Sequence, residues 1–221
     1  MDYERLYEYR FRGIDQSARE AAWKPISAFV HQRLGDPETV LDPAAGRGEF
    51  INSIPAKERW AVDRTAYEAA GPGSTVRRVV GDIMEAELPD DHFDAVFVSN
   101  FLEHLPDQEA INAFLERMRS KLRPGGRIGV MGPNYRHAAR EYWDFADHYV
   151  ALTEHAVEEH LYAAGLEPTE SIPRFLPYSF RERLPASPRL VSLYLRFPPA
   201  WKLLGKQFLV IAERRPDRSR T

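Results

Sequence analysis

The sequence predicts an α/β fold built on a mostly parallel sheet with helices on both faces. Three observations carry that prediction. Strand-like and helix-like pieces alternate from Glu38 to about Gly132. Three successive strand-like pieces run into an acid, at Asp42, Asp63 and Asp82. The first acid leads straight into a turn of small residues, Ala44, Ala45, Gly46 and Gly48. Open α/β sheets bind ligands at the carboxyl edge of their strands, so the acids also mark where a site should lie.

Near the start, Trp23, Ile26, Phe29, Val30 and Leu34 form an apolar stripe at helical spacing, expected to lie over the sheet. Residues 1–37 read as an N-terminal helical lid, and 38–221 as the main domain. Strands are expected at Thr39–Leu41, Trp60–Val62, Thr75–Val80, Phe93–Ser99 and Arg127–Met131. The fourth is nearly all apolar, as a strand covered on both faces should be. Ile111, Phe114, Leu115, Met118 and Leu122 predict a helix capped by Asp107 and ended by Pro124-Gly125-Gly126. Thr153 caps a later helix, with Leu152 and Val157 placed to staple it. Residues 172–205, rich in proline and arginine, read as an insertion before a closing strand at Lys206–Glu213.

At 221 residues the chain is large enough for one elaborated domain. Its net charge of −3 gives no nucleic-acid footprint. It has no cysteine, which excludes disulfides, thiolate metal sites and a cysteine nucleophile. The first residues lack the apolar core of a signal peptide, and no apolar run approaches the ~20 residues that span a bilayer. A cytoplasmic location is expected.

The most informative motif is VLDPAAGRGEF, Val40 to Phe50. The dinucleotide fingerprint G-x-G-x-x-G fails, because Ile51 stands where its third glycine belongs. A phosphate-cradling Gly-Lys-Ser/Thr is also absent. Asp42, Ala44, Gly46 and Gly48 fit an acid-x-Gly-x-Gly-x-Gly pattern with alanine for its first glycine. Asp63 is placed to accept both ribose hydroxyls of an adenosine, and Asp82 its adenine amino group, with Ile83 against the ring.

With SNFLEHL (Ser99–Leu105) and KLRPGGRIGV (Lys121–Val130), this set resembles the type 11 branch of the class I S-adenosylmethionine-dependent methyltransferases, over most of residues 38–170. The resemblance implies a Rossmann-like seven-stranded sheet whose last strand is antiparallel. It implies S-adenosylmethionine, with S-adenosylhomocysteine as product, held by the Asp42–Gly48 turn, by Asp63 with its neighbour Arg64, and by Asp82. Asn100 and Phe101 would flank the methionine end. Ala44 departs from the pattern and implies a slightly altered turn.

The resemblance also implies acceptor residues after the fifth strand, where Asn134, Tyr135, Arg136, Arg140, Tyr142 and Trp143 stand. Asp144 and His148 are four apart and would share a helix face, so Asp144 could orient His148 as a general base. His104 is the second candidate base. His155 and His160 do not make the H-E-x-x-H zinc motif, and no metal is assigned. Arg174 and Arg181, with Tyr178 among the nearby aromatics, suggest an anionic, partly apolar small-molecule acceptor such as a phosphorylated or lipid-linked metabolite. Residues 187–205 could form a surface helix meeting a membrane or a second subunit. Methyl transfer to a hydroxyl oxygen is the expected function. The alternatives are a non-catalytic S-adenosylmethionine-binding protein and a nicotinamide-dependent oxidoreductase.

Overall fold

The computed structural model describes residues 3–10, 12–13, 15–66, 75–178 and 187–216. Seven strands form one sheet: β1 Thr39–Asp42, β2 Glu58–Asp63, β3 Val76–Val80, β4 Phe93–Ser99, β5 Leu122–Pro133, β6 Glu167–Ile172 and β7 Gln207–Glu213. Their order is β3-β2-β1-β4-β5-β7-β6. The first five strands pair in parallel, while β7 is antiparallel to both β5 and β6. Strand order reverses between β1 and β4, which opens a crevice at their carboxyl ends.

Eight helices surround the sheet among the described residues: α1 Tyr3–Arg10, α2 Gln16–Arg33, α3 Glu49–Ser53, α4 Gln108–Lys121, α5 Tyr135–Tyr142, α6 Glu154–Ala163, α7 Pro188–Leu195 and α8 Pro198–Leu204. Alternation along β4 divides the core in two, because successive side chains of a strand point to opposite faces. Val96 and Val98 meet Ile111, Phe114, Leu115 and Met118 of α4 and Val157 and Leu161 of α6. Ala95 and Phe97 face Trp23, Ile26 and Val30 of α2, Phe50 and Ile51 of α3, and Leu195 of α7. Full burial of such side chains stabilises by about 1.5–3 kcal/mol each, so these two stripes anchor both helical layers.

The expected caps form: Asp107 accepts from the Ala110 amide at 2.8 Å, and Thr153 from that of Ala156 at 3.2 Å. Three local expectations are corrected. Helix α4 does stop at Lys121, but Pro124–Gly126 lies inside β5, where the register jumps from Phe93↔Leu122 to Ala95↔Arg127. Ile172 ends a strand, β6, instead of opening the insertion; its sequence EPTESI is too polar to announce an edge strand. The segment after β5 is helical through Tyr142 and then turns, so Asp144 and His148 share no helix face.

The expected lid over 1–37 divides. Helix α2 belongs to the core of one sheet face, whereas Arg10, at the end of α1, reaches across to Asp147. No helix among the described residues is long and apolar enough to cross a membrane.

Candidate functional site

β1 delivers Asp42, and the chain turns at once through Ala44 and Gly46 into α3. The turn is held from β2: the Ala45 amide donates to the Val62 carbonyl at 3.0 Å, and the Gly46 amide to Asp63 Oδ2 at 2.7 Å. Gly46 has φ +51, and a Cβ built on it would meet nothing within 4 Å, so the turn faces open space there. Gly48 has φ +83 and is closed in, its would-be Cβ lying 2.9 Å from the Arg78 guanidinium. Glycine suits both positions because side-chain-bearing residues rarely adopt that backbone conformation.

Asp42 is buried. Its carboxylate takes a backbone hydrogen bond from Ala44, while Oδ1 has no partner. Burial raises its pKa well above the usual carboxylate value, and the neighbouring Asp63 and Glu49 add to the rise. A buried, half-satisfied carboxylate facing a cleft is a donor-seeking group. Asp63 Oδ1 accepts from the Thr65 amide at 2.9 Å. Asp82 accepts from the Met84 amide at 2.9 Å and bonds Arg64, and Ile83 beside it is buried. The acids at the ends of β1, β2 and β3 thus stand along the predicted carboxyl edge. The cleft itself is lined by Asp42, Ala44 and Gly46 but by neither Asp63 nor Asp82.

Across the crevice, β4 ends at Ser99, and Asn100 takes the left-handed φ of 49, with its amide donating to the Met131 carbonyl at 2.8 Å. Asparagine tolerates this conformation better than most residues. Asn100 lines the cleft, whereas Phe101 packs against Phe114, ring centroids 5.0 Å apart. A single 3-10 turn, Leu102–His104, follows. The segment after α5 is strapped to it, the Tyr149 amide donating to the Glu103 carbonyl at 2.8 Å.

That strap brings His148 to His104, with ring centroids 4.9 Å apart, and both line the cleft. Burial first, and then the neighbouring His104, lower the His148 pKa to about 4 against the pull of Asp147. His148 is therefore neutral at pH 7. His104 Nδ1 lies 2.7 Å from the backbone oxygen of Asp147 and 3.4 Å from its carboxylate. The carboxylate beside the histidines is thus Asp147, ion-paired with Arg10, while Asp144 stands exposed in the turn.

The expected acceptor residues scatter. Asn134 is spent on structure: it caps α5 and donates to Glu154 at 2.6 Å and to the Pro173 carbonyl at 2.8 Å. Arg136 pairs with Glu154 at 2.9 Å. Tyr142 is buried, donating to the Val150 carbonyl and accepting from the Leu152 amide. Tyr135 and the exposed Trp143 pack around it. Arg140 is exposed on α5 and does not line the cleft. Arg174 is turned to the end of α8, donating to the Gly205 carbonyl at 2.9 Å. Arg181 lies outside the described residues. Of the expected set, Tyr178 alone among the described residues lines the cleft, its hydroxyl buried without a partner and its pKa raised by burial. The anionic wall expected from Arg140 and Arg174 is not assembled.

The cleft's arginines come from elsewhere. Arg10 and Arg19 descend from α1 and α2, and Arg47 sits in the turn. Arg19 is held by Glu49 at 2.6 Å and Arg47 by Gln16 at 3.1 Å. Apolar walls come from Trp23, Phe50, Phe145 and Leu176. Of these residues Arg47 and Phe50 lie in the VLDPAAGRGEF motif.

A family model described as a methyltransferase domain matches residues 15–171. The demethylmenaquinone methyltransferase of Mycobacterium bovis is 35% identical over 101 residues, 44% of this chain and 42% of the relative. The chain thus spans under half the length of the curated relatives it matches. A Burkholderia thailandensis 1,6-didemethyltoxoflavin-N1-methyltransferase, solved with bound 1,6-didemethyltoxoflavin and S-adenosylhomocysteine, is 24% identical with a TM-score of 0.59, covering 97% of this chain and 90% of that one. An S-adenosylmethionine-dependent methyltransferase of Archaeoglobus fulgidus has a TM-score of 0.64 at 21% identity, covering 96% and 100%. At those identities the two structures show the fold.

Proposed function

The chain belongs to the methyltransferase-domain family, and we propose that it catalyses methyl transfer from S-adenosylmethionine to a hydroxyl oxygen of a small-molecule acceptor. One observation carries the reading. The half-satisfied Asp42 carboxylate and the open face of Gly46 share a single cleft with the histidines His104 and His148. The first pair suits a cationic amino-acid end approached closely by backbone; the second suits an acceptor that must lose a proton.

In this reading Asp42 and the Ala44–Gly46 turn hold the methionine end, with Asn100 opposite. Asp63, Asp82 and Ile83 hold the adenosine, beyond the walls of the cleft. S-adenosylmethionine supplies a methyl group already activated on a sulfonium. What remains for the chain is to orient the acceptor, exclude water and take its proton. His148, neutral at pH 7, and His104 are the two groups able to receive that proton. Phe145, Leu176 and Tyr178 wall the acceptor, and the α1 end with Arg10 closes over it. An anionic group on the acceptor would meet Arg10, Arg19 or Arg47, not Arg140 or Arg174.

Helices α7 and α8 are proposed to rest on an anionic membrane surface, which suits a lipid-linked acceptor. They expose Leu190, Leu193, Phe197, Leu203 and Leu204. Residues 187–205 carry Arg189, Arg196 and Lys202 and no acid.

The deciding experiment is calorimetric titration with S-adenosylhomocysteine and, separately, with nicotinamide dinucleotide. It is followed by mass spectrometry of hydroxylated acceptors incubated with enzyme and S-adenosylmethionine. Binding of S-adenosylhomocysteine, with an acceptor gaining the mass of one methylene group, is expected. Binding of the dinucleotide alone would transfer the site to hydride chemistry. Tight S-adenosylhomocysteine binding with no turnover on any acceptor would leave a binding protein.

A further inference from the structure

Glu103, His104 and His148 converge on the acceptor side of the cleft, and we propose that they form a binding site for a divalent transition-metal ion of the zinc type. The three side chains come from two segments, the turn after β4 and the loop after α5, joined by the Tyr149–Glu103 backbone bond. One ligand atom from each lies within 4.8 Å of the other two. Tetrahedral ligands about 2.1 Å from an ion stand about 3.4 Å apart, so side-chain movements of about 1 Å complete the site.

Each member is prepared for the role. His104 donates its Nδ1 hydrogen to the Asp147 carbonyl at 2.7 Å, which leaves the Nε2 lone pair free. Metal-bound histidines nearly always make such a bond with their second nitrogen. His148 Nδ1 is buried and has no hydrogen-bond partner. Glu103 is 2% exposed. The positive groups acting on it are His104 and Arg10, and Arg10 is already paired with Asp147. Arg10 is thus shared between two carboxylates, and a divalent ion between Glu103 and the two imidazoles would add positive charge beside a buried acid.

Two imidazoles and one carboxylate match the ligand set of catalytic zinc and of non-haem iron sites that keep open positions. Calcium and magnesium prefer all-oxygen ligands and fit poorly. Phe145 and Tyr178, proposed to wall the acceptor, line the same cleft as the three ligands. If Glu103, His104 and His148 held the ion, it would supply Lewis acidity to an acceptor oxygen, and the two histidines would serve as ligands in place of their proposed role as proton acceptors. Metal binding itself needs only these three side chains and no methyl transfer, so it stands or falls apart from the reaction.

The test is titration of chelator-treated, dialysed protein with Co²⁺, followed by visible absorption, and with Zn²⁺ by calorimetry, both without cofactor. One equivalent of Co²⁺ giving a four- or five-coordinate visible band is expected. Affinity should fall at least tenfold in Glu103→Gln and His148→Ala and stay unchanged in His155→Ala, a surface control. S-adenosylhomocysteine titration of the same variants reports whether they fold, which separates loss of the metal from loss of the cofactor site. If the variants fail to fold, histidine ring resonances of the wild-type protein decide: Zn²⁺ should shift those of His104 and His148. Absence of stoichiometric binding, binding indifferent to both variants, or shifts confined to other histidines would overturn the site.

Discussion

Asp42 shows the tension between stability and function at a single residue. Burial raises its folded pKa above the unfolded value of 3.8. Its contribution to stability is therefore complete below pH 3.8 and is lost as pH rises through the folded value. Where the carboxylate is ionised in the folded protein, its burial is a cost. Asp42→Asn should raise Tm at pH 7 by a few degrees, since about 1 kcal/mol corresponds to roughly 2–4 °C in a domain of this size. It should also weaken S-adenosylhomocysteine binding about tenfold or more, because hydrogen bonds to charged groups are worth about 1.5–3 kcal/mol. Scanning calorimetry and titration read the two effects, and a variant that loses both stability and affinity would make Asp42 a purely structural acid. Asp63→Ala should lower affinity by a similar factor. Its carboxylate also holds the Gly46 amide, so Asp63→Asn, which keeps one acceptor oxygen, should retain more binding than alanine. Unchanged affinity in a folded Asp63→Ala protein would remove Asp63 from the site. These acids were legible because a strand end followed by an acid survives in one dimension. The Asp147–His104 contact was not, since it spans 43 residues and depends on how the loop after α5 is strapped down.

The element that defines the site is the turn between β1 and α3. Its left-handed Gly46 and Gly48 were readable as small residues in the right order, and the structure shows why each is needed: one faces space, the other a crowded guanidinium. Gly46→Val should weaken S-adenosylhomocysteine binding at least a hundredfold, because the branched side chain enters the open side of the turn. The left-handed conformation costs a residue with a Cβ roughly 1–2 kcal/mol, so Tm should drop by only several degrees. Normal binding in a folded Gly46→Val protein would reduce the turn to a connection. The long apolar stripes of α2 and α4 were legible for the same reason, repetition at a fixed period. β6 and α5 were not. EPTESI pairs with β7 at the sheet edge, helped by Thr169 Oγ1 donating to the Ile211 carbonyl at 3.3 Å, and α5 forms because Asn134 caps it and Tyr142 is fixed by two backbone groups of the next loop. Reading helix through Asp144 and His148 failed because Tyr142 is where that anchoring ends.

Charge is distributed unevenly over the molecule as a whole. The net charge is −3, yet residues 187–205 hold three basic residues and no acid. The same helices expose Leu193 at 65%, Phe197 at 58% and Leu203 at 78%, while Leu195 and Trp201 fix them to the core. An exposed apolar surface on a segment with three basic residues and no acid suits an anionic bilayer, where each basic side chain contributes about 1 kcal/mol. Three of them should raise affinity for vesicles containing anionic lipid more than tenfold over neutral ones. That preference should fade with added salt, because the Debye length shrinks from about 10 Å at 0.1 M to about 3 Å at 1 M. Co-sedimentation with both vesicle types checks it, and Leu193→Ser with Leu203→Ser should release the protein from anionic vesicles while leaving S-adenosylhomocysteine affinity unchanged. If neither vesicle type sediments the protein and light scattering shows a dimer that the same pair of substitutions dissociates, the surface joins two copies of this chain. The acceptor would then have to reach the cleft through water.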